Sequence, residues 1–189
     1  ALPIFPEWAV PVTKKNGFLE FCPSGGIKVC IVKIETHAHL TNFKPEFMLR
    51  VMDDLDPECD SVFYMDPDLV VTLPWFRFEE WISCGVAVCE DVNSPVSLYH
   101  PRRLGWRRTF AKFDIILHPR ECCYANGGFV GLARQNRHFL SIWKKIQNLI
   151  SEIVGGLDVS AFPGPKKICN EEGFFCCFST TDQDALNAT

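Results

Sequence analysis

No stretch of this sequence stays apolar for the about 18 to 20 residues that a membrane-spanning helix requires, so no membrane-spanning segment is expected. The opening residues, ALPIFPEWAVPVTKK, hold three prolines and no basic segment ahead of an apolar one, so no secretory signal is expected there either. An initiator methionine is missing, and the expectation is a chain trimmed at one or both ends. There is no C-x-x-C pair, and two pairs of the ten cysteines are adjacent, Cys122–Cys123 and Cys176–Cys177. Such spacings suit neither tetrahedral zinc nor a simple disulfide framework. Excess positive charge is absent too: the formal net charge is −4, which offers no basic field to nucleic acid. With no internal repeat and no linker, one domain over residues 1–189 is expected, its first 26 residues irregular.

What remains is globular in composition, 47% hydrophobic and 22% charged, and 189 residues are enough to enclose a core. Cys30 in IKVCIVKI and Cys89 in GVAVC lie in apolar runs, where free cysteine acts as a small hydrophobe. Reduced, mostly buried thiols in a cytoplasmic protein follow as the expectation. IKVCIVKI (27–34), SVFYM (61–65), GVAVC (85–89) and FVGLA (129–133) read as strands. In KPEFMLRVMDDL, Pro45 falls in a first turn and Met48, Val51, Met52 and Leu55 share one helical face. WFRFEEWIS reads as a short helix. HFLSIWKKIQNLISEIV is the clearest helix, with Phe139, Ile142, Trp143, Ile146, Ile150 and Ile153 as its stripe, Lys144, Lys145 and Gln147 outside, and Gly155–Gly156 as its stop. Thr181 and Asp184 have capping-box spacing ahead of a last helix. The polar, basic stretch from Asp91 to Lys112 reads as a long surface loop. Strands alternating with helices predict an α/β fold around a mainly parallel sheet.

In DSVFYMDPDLVV two carboxylates, Asp66 and Asp68, close an apolar strand. Residues i and i+2 of an extended segment share a face, and a divalent cation between them would relieve their repulsion. Mg²⁺ and Mn²⁺ prefer such oxygen ligands and complete their shells with substrate phosphates. Asp-Pro-Asp is also ordinary turn chemistry, so a plain surface turn stands beside the metal reading.

VFYMDPDLVV resembles the metal-binding D-x-D strand of GT-A-fold glycosyltransferases, family 8 and its relatives above all. Three further segments resemble that family in the same order along the chain: NFKPEFMLRVMDDL, YANGGFVGLARQNRHFLSIWKKI and TDQDALN, spanning about residues 42 to 189. The resemblance implies a GT-A-like, Rossmann-like sheet flanked by helices and a metal-dependent, hexosyltransferase-like enzyme. It would move a sugar, with retention, from a nucleotide-diphosphate sugar to an unidentified glycan, lipid or protein acceptor. By that resemblance Asp66 and Asp68 hold Mn²⁺ or Mg²⁺ against the donor diphosphate. Asn126, Gly127 and Gly128 form a turn lining the sugar pocket, and Asp182 and Gln183 meet the sugar hydroxyls and anomeric face. Lys44 and Asp184 help to hold the donor.

Plain readings accompany these: Asn-Gly-Gly as a turn, Thr181–Asp184 as a cap, Lys44 as a solvated lysine. The arginines of HPRRLGWRR either grip an anion or form a solvated loop paired with acids such as Asp114. The family's base-binding segment is not found ahead of IKVCIVKI, and its third metal ligand, a histidine, lies downstream of the D-Q-D segment, whereas the sequence here ends at Thr189. Two other functions therefore stand beside transfer: a catalytically silent glycan- or nucleotide-sugar-binding module, and a metal-dependent nucleotide hydrolase.

Overall fold

The computed structural model describes residues 13–15, 18–22, 26–118, 122–159, 177–178 and 180–189. The chain divides into two compact units, residues 1–36 and 37–189.

The first unit holds three short antiparallel strands in the order β1 (Thr13–Lys15), β2 (Phe18–Phe21) and β3 (Val29–Ile31). IKVCIVKI contributes only three residues to it, and Ile27 and Cys30 are exposed. The expected buried core strand is therefore a short solvated one. Among the described residues this unit has no helix to cover its sheet.

The second unit is mixed α/β. Its sheet has the order β4 (Ser61–Met65), β6 (Ala125–Ala133), β5 (Ala87–Glu90), with β6 antiparallel to both neighbours. Every ladder among the described residues is antiparallel, so the mainly parallel sheet expected from the alternating pattern is not seen. β4 and β5 do run the same way, but β6 returns between them and takes up their hydrogen bonds. The alternation in sequence could not reveal which strands would be neighbours in space.

Among the described residues, five α-helices accompany this sheet: α1 (Lys44–Arg50), α2 (Phe76–Ser83), α3 (Pro101–Ala111), α4 (His138–Val154) and α5 (Thr181–Ala188). α1 passes into a single π turn, Val51–Leu55, and buries Met48 and Met52 against the core as the sequence predicts. Gly155, at φ 85°, ends α4 as expected. The buried face of α4 is Leu140, Trp143, Ile146, Gln147 and Ile150. It is rotated from the expected stripe: Ile142 is 42% exposed, whereas Gln147, assigned to solvent, is inside. A broad apolar helix surface leaves the direction of its neighbours undetermined, and here α1 and α5 both pack on α4. The indole N–H of Trp143 donates to the Asp182 carbonyl at 3.2 Å, which ties α4 to the start of α5.

The segment read as a long loop contains α3. Pro101 opens it, and the ring Nδ1 of His100 accepts the Arg102 backbone N–H at 3.2 Å as an N-cap. Trp106 and Phe110, one turn apart, are 2% and 0% exposed. The interleaved arginines hide this narrow stripe in the sequence. Thiol placement also departs from expectation: all eight described cysteines are free, but only Cys177 is buried and six are exposed, Cys89 among them on the outward side of β5.

Gly131 of β6 lies under Phe63, and a Cβ there would come within 2.4 Å of that ring. Gly131→Ala is expected to cost about 1 to 3 kcal/mol through overpacking. A urea or thermal melt checks this; an unchanged midpoint would mean that the sheet accommodates the methyl.

Candidate functional site

β4 and β5 end where β6 begins, and polar groups from five segments meet at that edge. Asp66 follows β4, Asp91 follows β5, Asn126–Gly128 open β6, Lys44 opens α1, and Asp182 and Gln183 lie in the first turn of α5. The β5–β6 register passes from Val88↔Val130 to Cys89↔Asn126, so residues 127–129 have no partner on β5. This irregularity frees the backbone of Gly127 for side chains. Its N–H donates to Oε1 of Gln183 at 3.0 Å, and its carbonyl accepts from Nζ of Lys44 at 2.8 Å.

Asn126, Gly127 and Gly128 are therefore strand residues, not the expected turn. A Cβ on Gly128 would lie 2.7 Å from Oδ2 of Asp66 and 2.8 Å from Oδ1 of Asn126. Glycine is required there because the Asp66 carboxylate rests directly on the strand. The Asp66 N–H extends the ladder by donating to the Gly128 carbonyl at 2.8 Å.

Lys44 is 4% exposed, so the solvated reading does not hold. Its ammonium donates to Oδ2 of Asp182 at 2.9 Å, lies 3.8 Å from Oδ1 of Asp66 and sits 4.7 Å over the Tyr64 ring. The Tyr64 hydroxyl donates to Oδ1 of Asp66 at 2.6 Å. Burial first, then this bond and the Asp66 charge, push the Tyr64 phenol well above its ordinary range, with smaller contributions from Asp182 and Asp68. Asp91 accepts from Asn126 Nδ2 at 2.8 Å and from the backbone and side chain of Asn93. Burial alone would raise the Asp91 carboxyl; those bonds, with one from Gln183, outweigh it and hold the group below the usual carboxylate range.

Asp66-Pro67-Asp68-Leu69 is a turn closed by the Leu69 N–H donating to the Asp66 carbonyl at 3.1 Å. The extended geometry expected of the D-x-D segment is thus replaced by a turn. Asp66 points into the cluster, while Asp68 is exposed beside it. Oδ2 of Asp66 and both oxygens of Asp68 accept no hydrogen bond among the described residues. Asp184 takes another path. It is fully buried, accepting from the Tyr124 hydroxyl at 2.8 Å and the Thr180 N–H at 3.0 Å, with Arg102 at 3.7 Å. It fastens the start of α5 to Tyr124, just ahead of β6, and to α3, and shows no surface that a donor could reach. The expected cap is shifted accordingly: Thr180, not Thr181, precedes the helix, and the Thr181 hydroxyl donates to Oδ1 of Asn42 at 2.6 Å.

Sequence reasoning missed Tyr64 and Asp91. Each carried a faint signal: a tyrosine two positions before the first aspartate on one strand face, and an acid directly after a strand.

Asp66, Asp68, Asp91 and Asp182 outnumber the one ammonium of Lys44, giving an edge that favours a cation. No group of three or more histidine, cysteine, aspartate or glutamate side chains among the described residues could hold a metal ion. Asp66 and Asp68 are hard oxygen donors suited to Mg²⁺ or Mn²⁺, and such an ion would take its other ligands from water or a bound phosphate. No protein-family model, curated protein or solved structure matches this chain. No helix among the described residues is long and apolar enough to cross a membrane.

Lys44→Met is expected to destabilise the protein by about 3 kcal/mol, because it leaves buried carboxylate charge unpaired. Adding Asp182→Asn should recover part of that loss, and a double-mutant cycle by denaturant melts measures the coupling. The Tyr64 and Tyr124 phenols both have raised pKa values in the folded state, through burial first and then the neighbouring aspartates. The folded state thus holds these protons more tightly than the unfolded chain. Their contribution to stability is complete below about pH 10 and is lost as the pH rises through the folded values. Tyr64→Phe should make the alkaline fall in melting temperature shallower, and an identical pH profile would refute this assignment.

Proposed function

We propose that this chain is a metal-dependent glycosyltransferase of the GT-A type, similar to family 8, which transfers a sugar with retention from a nucleotide-diphosphate sugar to an acceptor. One observation carries the reading: Lys44, Asp66, Gly127 and Asp182, from four segments chosen by resemblance, meet around one buried ammonium. The free thiols support a cytoplasmic setting as part of this proposal.

Mn²⁺ or Mg²⁺ held by Asp66 and Asp68 would offset charge on the departing diphosphate. The remaining work falls to the chain. The Tyr64 hydroxyl and Lys44 fix Oδ1 of Asp66 and leave Oδ2 toward the ligand. Lys44 holds the Asp182 carboxylate oriented at the start of α5. Gln183, anchored through Oε1 on Gly127, sets its amide beside the same edge, where sugar hydroxyls would be recognised. Gly128, lacking a side chain, lets the Asp66 carboxylate rest on the strand at this edge.

A second reading, a catalytically silent nucleotide-sugar-binding module, is favoured by the way Asp182 and Gln183 are already engaged by Lys44, Gly127 and Asp91. A metal-dependent nucleotide hydrolase is the third.

Calorimetry with nucleoside diphosphates, with and without Mn²⁺, followed by product analysis with nucleotide-sugars, tests all three. Metal-dependent binding with sugar release or transfer is expected, and Asp66→Asn or Asp68→Asn should weaken the metal-dependent binding by about tenfold or more. Binding without turnover would favour the silent module, and phosphate release from sugar-free nucleotides the hydrolase. Equal metal-dependent binding and turnover in both variants would reject the metal role altogether.

A further inference from the structure

Arg103 and Arg107 lie one turn apart on α3 and line a cavity of about 110 Å³ together with His118, over Leu98, Trp106 and Leu117. Each guanidinium spends one Nη2 donor on a backbone carbonyl, Arg103 on Cys123 at 2.7 Å and Arg107 on Leu98. Neither makes an ion pair within the described protein. Nε of Arg103 is buried and has no hydrogen-bond partner among the described residues. Two neighbouring guanidinium groups thus face one cavity with no carboxylate side chain among its described lining residues, which include the last two, Ala188 and Thr189, and one guanidinium carries an orphaned buried donor; an anion would complete this arrangement.

The opposite side of Arg103 adds a second requirement. Arg103 and Asn187 also line an open groove of about 500 Å³ walled by Val86, Val88, Phe139 and Leu186. Asn187 is already committed, donating to the Ala125 and Gln183 carbonyls and accepting from the Ala125 N–H. It shapes the junction without offering a free polar atom there. The basic cavity and the apolar groove thus share a wall on which Arg103 is the group with spare donors. This junction lies toward the end of α5, beyond the turn that bears Asp182 and Gln183.

We propose that cavity and groove together bind an anionic amphiphile, a hydrocarbon-chain phosphate monoester. The phosphate lies between Arg103 and Arg107 with His118 at the rim, and the chain runs along Val86, Val88, Phe139 and Leu186. A phosphate monoester carries close to two negative charges on three oxygens, which matches two guanidinium forks better than a single carboxylate does. The groove supplies apolar area whose burial favours the hydrocarbon. The assignment is independent of the sugar-transfer reading.

Calorimetry on the full chain with decyl phosphate, inorganic phosphate and decanol separates head from tail. Decyl phosphate is expected to bind at least about tenfold more tightly than either fragment, and Arg103→Gln or Arg107→Gln should weaken it by about tenfold or more. Arg103→Lys and Arg107→Lys, which keep the charge without the fork, should fall between. Decyl phosphate binding no tighter than decanol, or no tighter than inorganic phosphate, would overturn the proposal. The unmutated protein supplies a local readout should the glutamine variants fail to fold. Decyl phosphate must move the Arg103 Nε–H resonance in a proton–nitrogen correlation spectrum; an unmoved resonance at saturation would equally overturn it.

Discussion

The Lys44 ammonium is the point on which the candidate site depends. It is buried, and a charge removed from water costs several kcal/mol unless its partners are well placed. Its partners are the Gly127 carbonyl, the Asp182 carboxylate, Asp66 and the face of Tyr64. These come from a strand opening, a helix start and a strand end that are far apart in the chain. Orienting one cation therefore fixes α1, β4, β6 and α5 relative to one another at a single edge of the sheet.

That edge is made possible by a local failure of regular pairing. Residues 127–129 of β6 lose their β5 partners, and the backbone of Gly127 turns to Lys44 and Gln183 instead. Gly128, lacking a side chain, lets the Asp66 carboxylate lie against the strand. Tyr64, kept protonated, holds one oxygen of that carboxylate, and the other accepts no hydrogen bond among the described residues. Strand irregularity, glycine and a half-buried phenol act together to keep an excess of acidic groups ordered at this edge. Such an excess of negative charge suits a cation and the anionic groups a cation brings with it.

Much of this was legible along the chain. The α1 face of Met48 and Met52, the SVFYM strand, the short helix at WFRFEEWIS and the Gly155 stop all follow local rules, because period, caps and glycine act over a few residues. Lys44, Asp66, Gly127 and Asp182 were recognisable as candidates through their segments. α3 was not: its two buried aromatics sit among four arginines whose stems also cover apolar surface, so the polar pattern dominates the reading. Asp184 looked like a neighbour of Asp182 and Gln183. One helical position decides whether a carboxylate faces solvent or Tyr124, and that is set by how α5 lies on β6 and α4.

Sequence alone determined where most of the chain would curl into helices or extend, α3 excepted, and which polar residues had reason to be unusual, since those outcomes arise from contacts between near neighbours. Pairing of β4 and β5 with a returning β6, the rotation of α4 that buries Gln147, the exposure of Cys30 and Cys89, and the convergence on Lys44 were settled only in three dimensions. Each depends on which distant surface arrives to cover a given face, and no local pattern of residues encodes that choice.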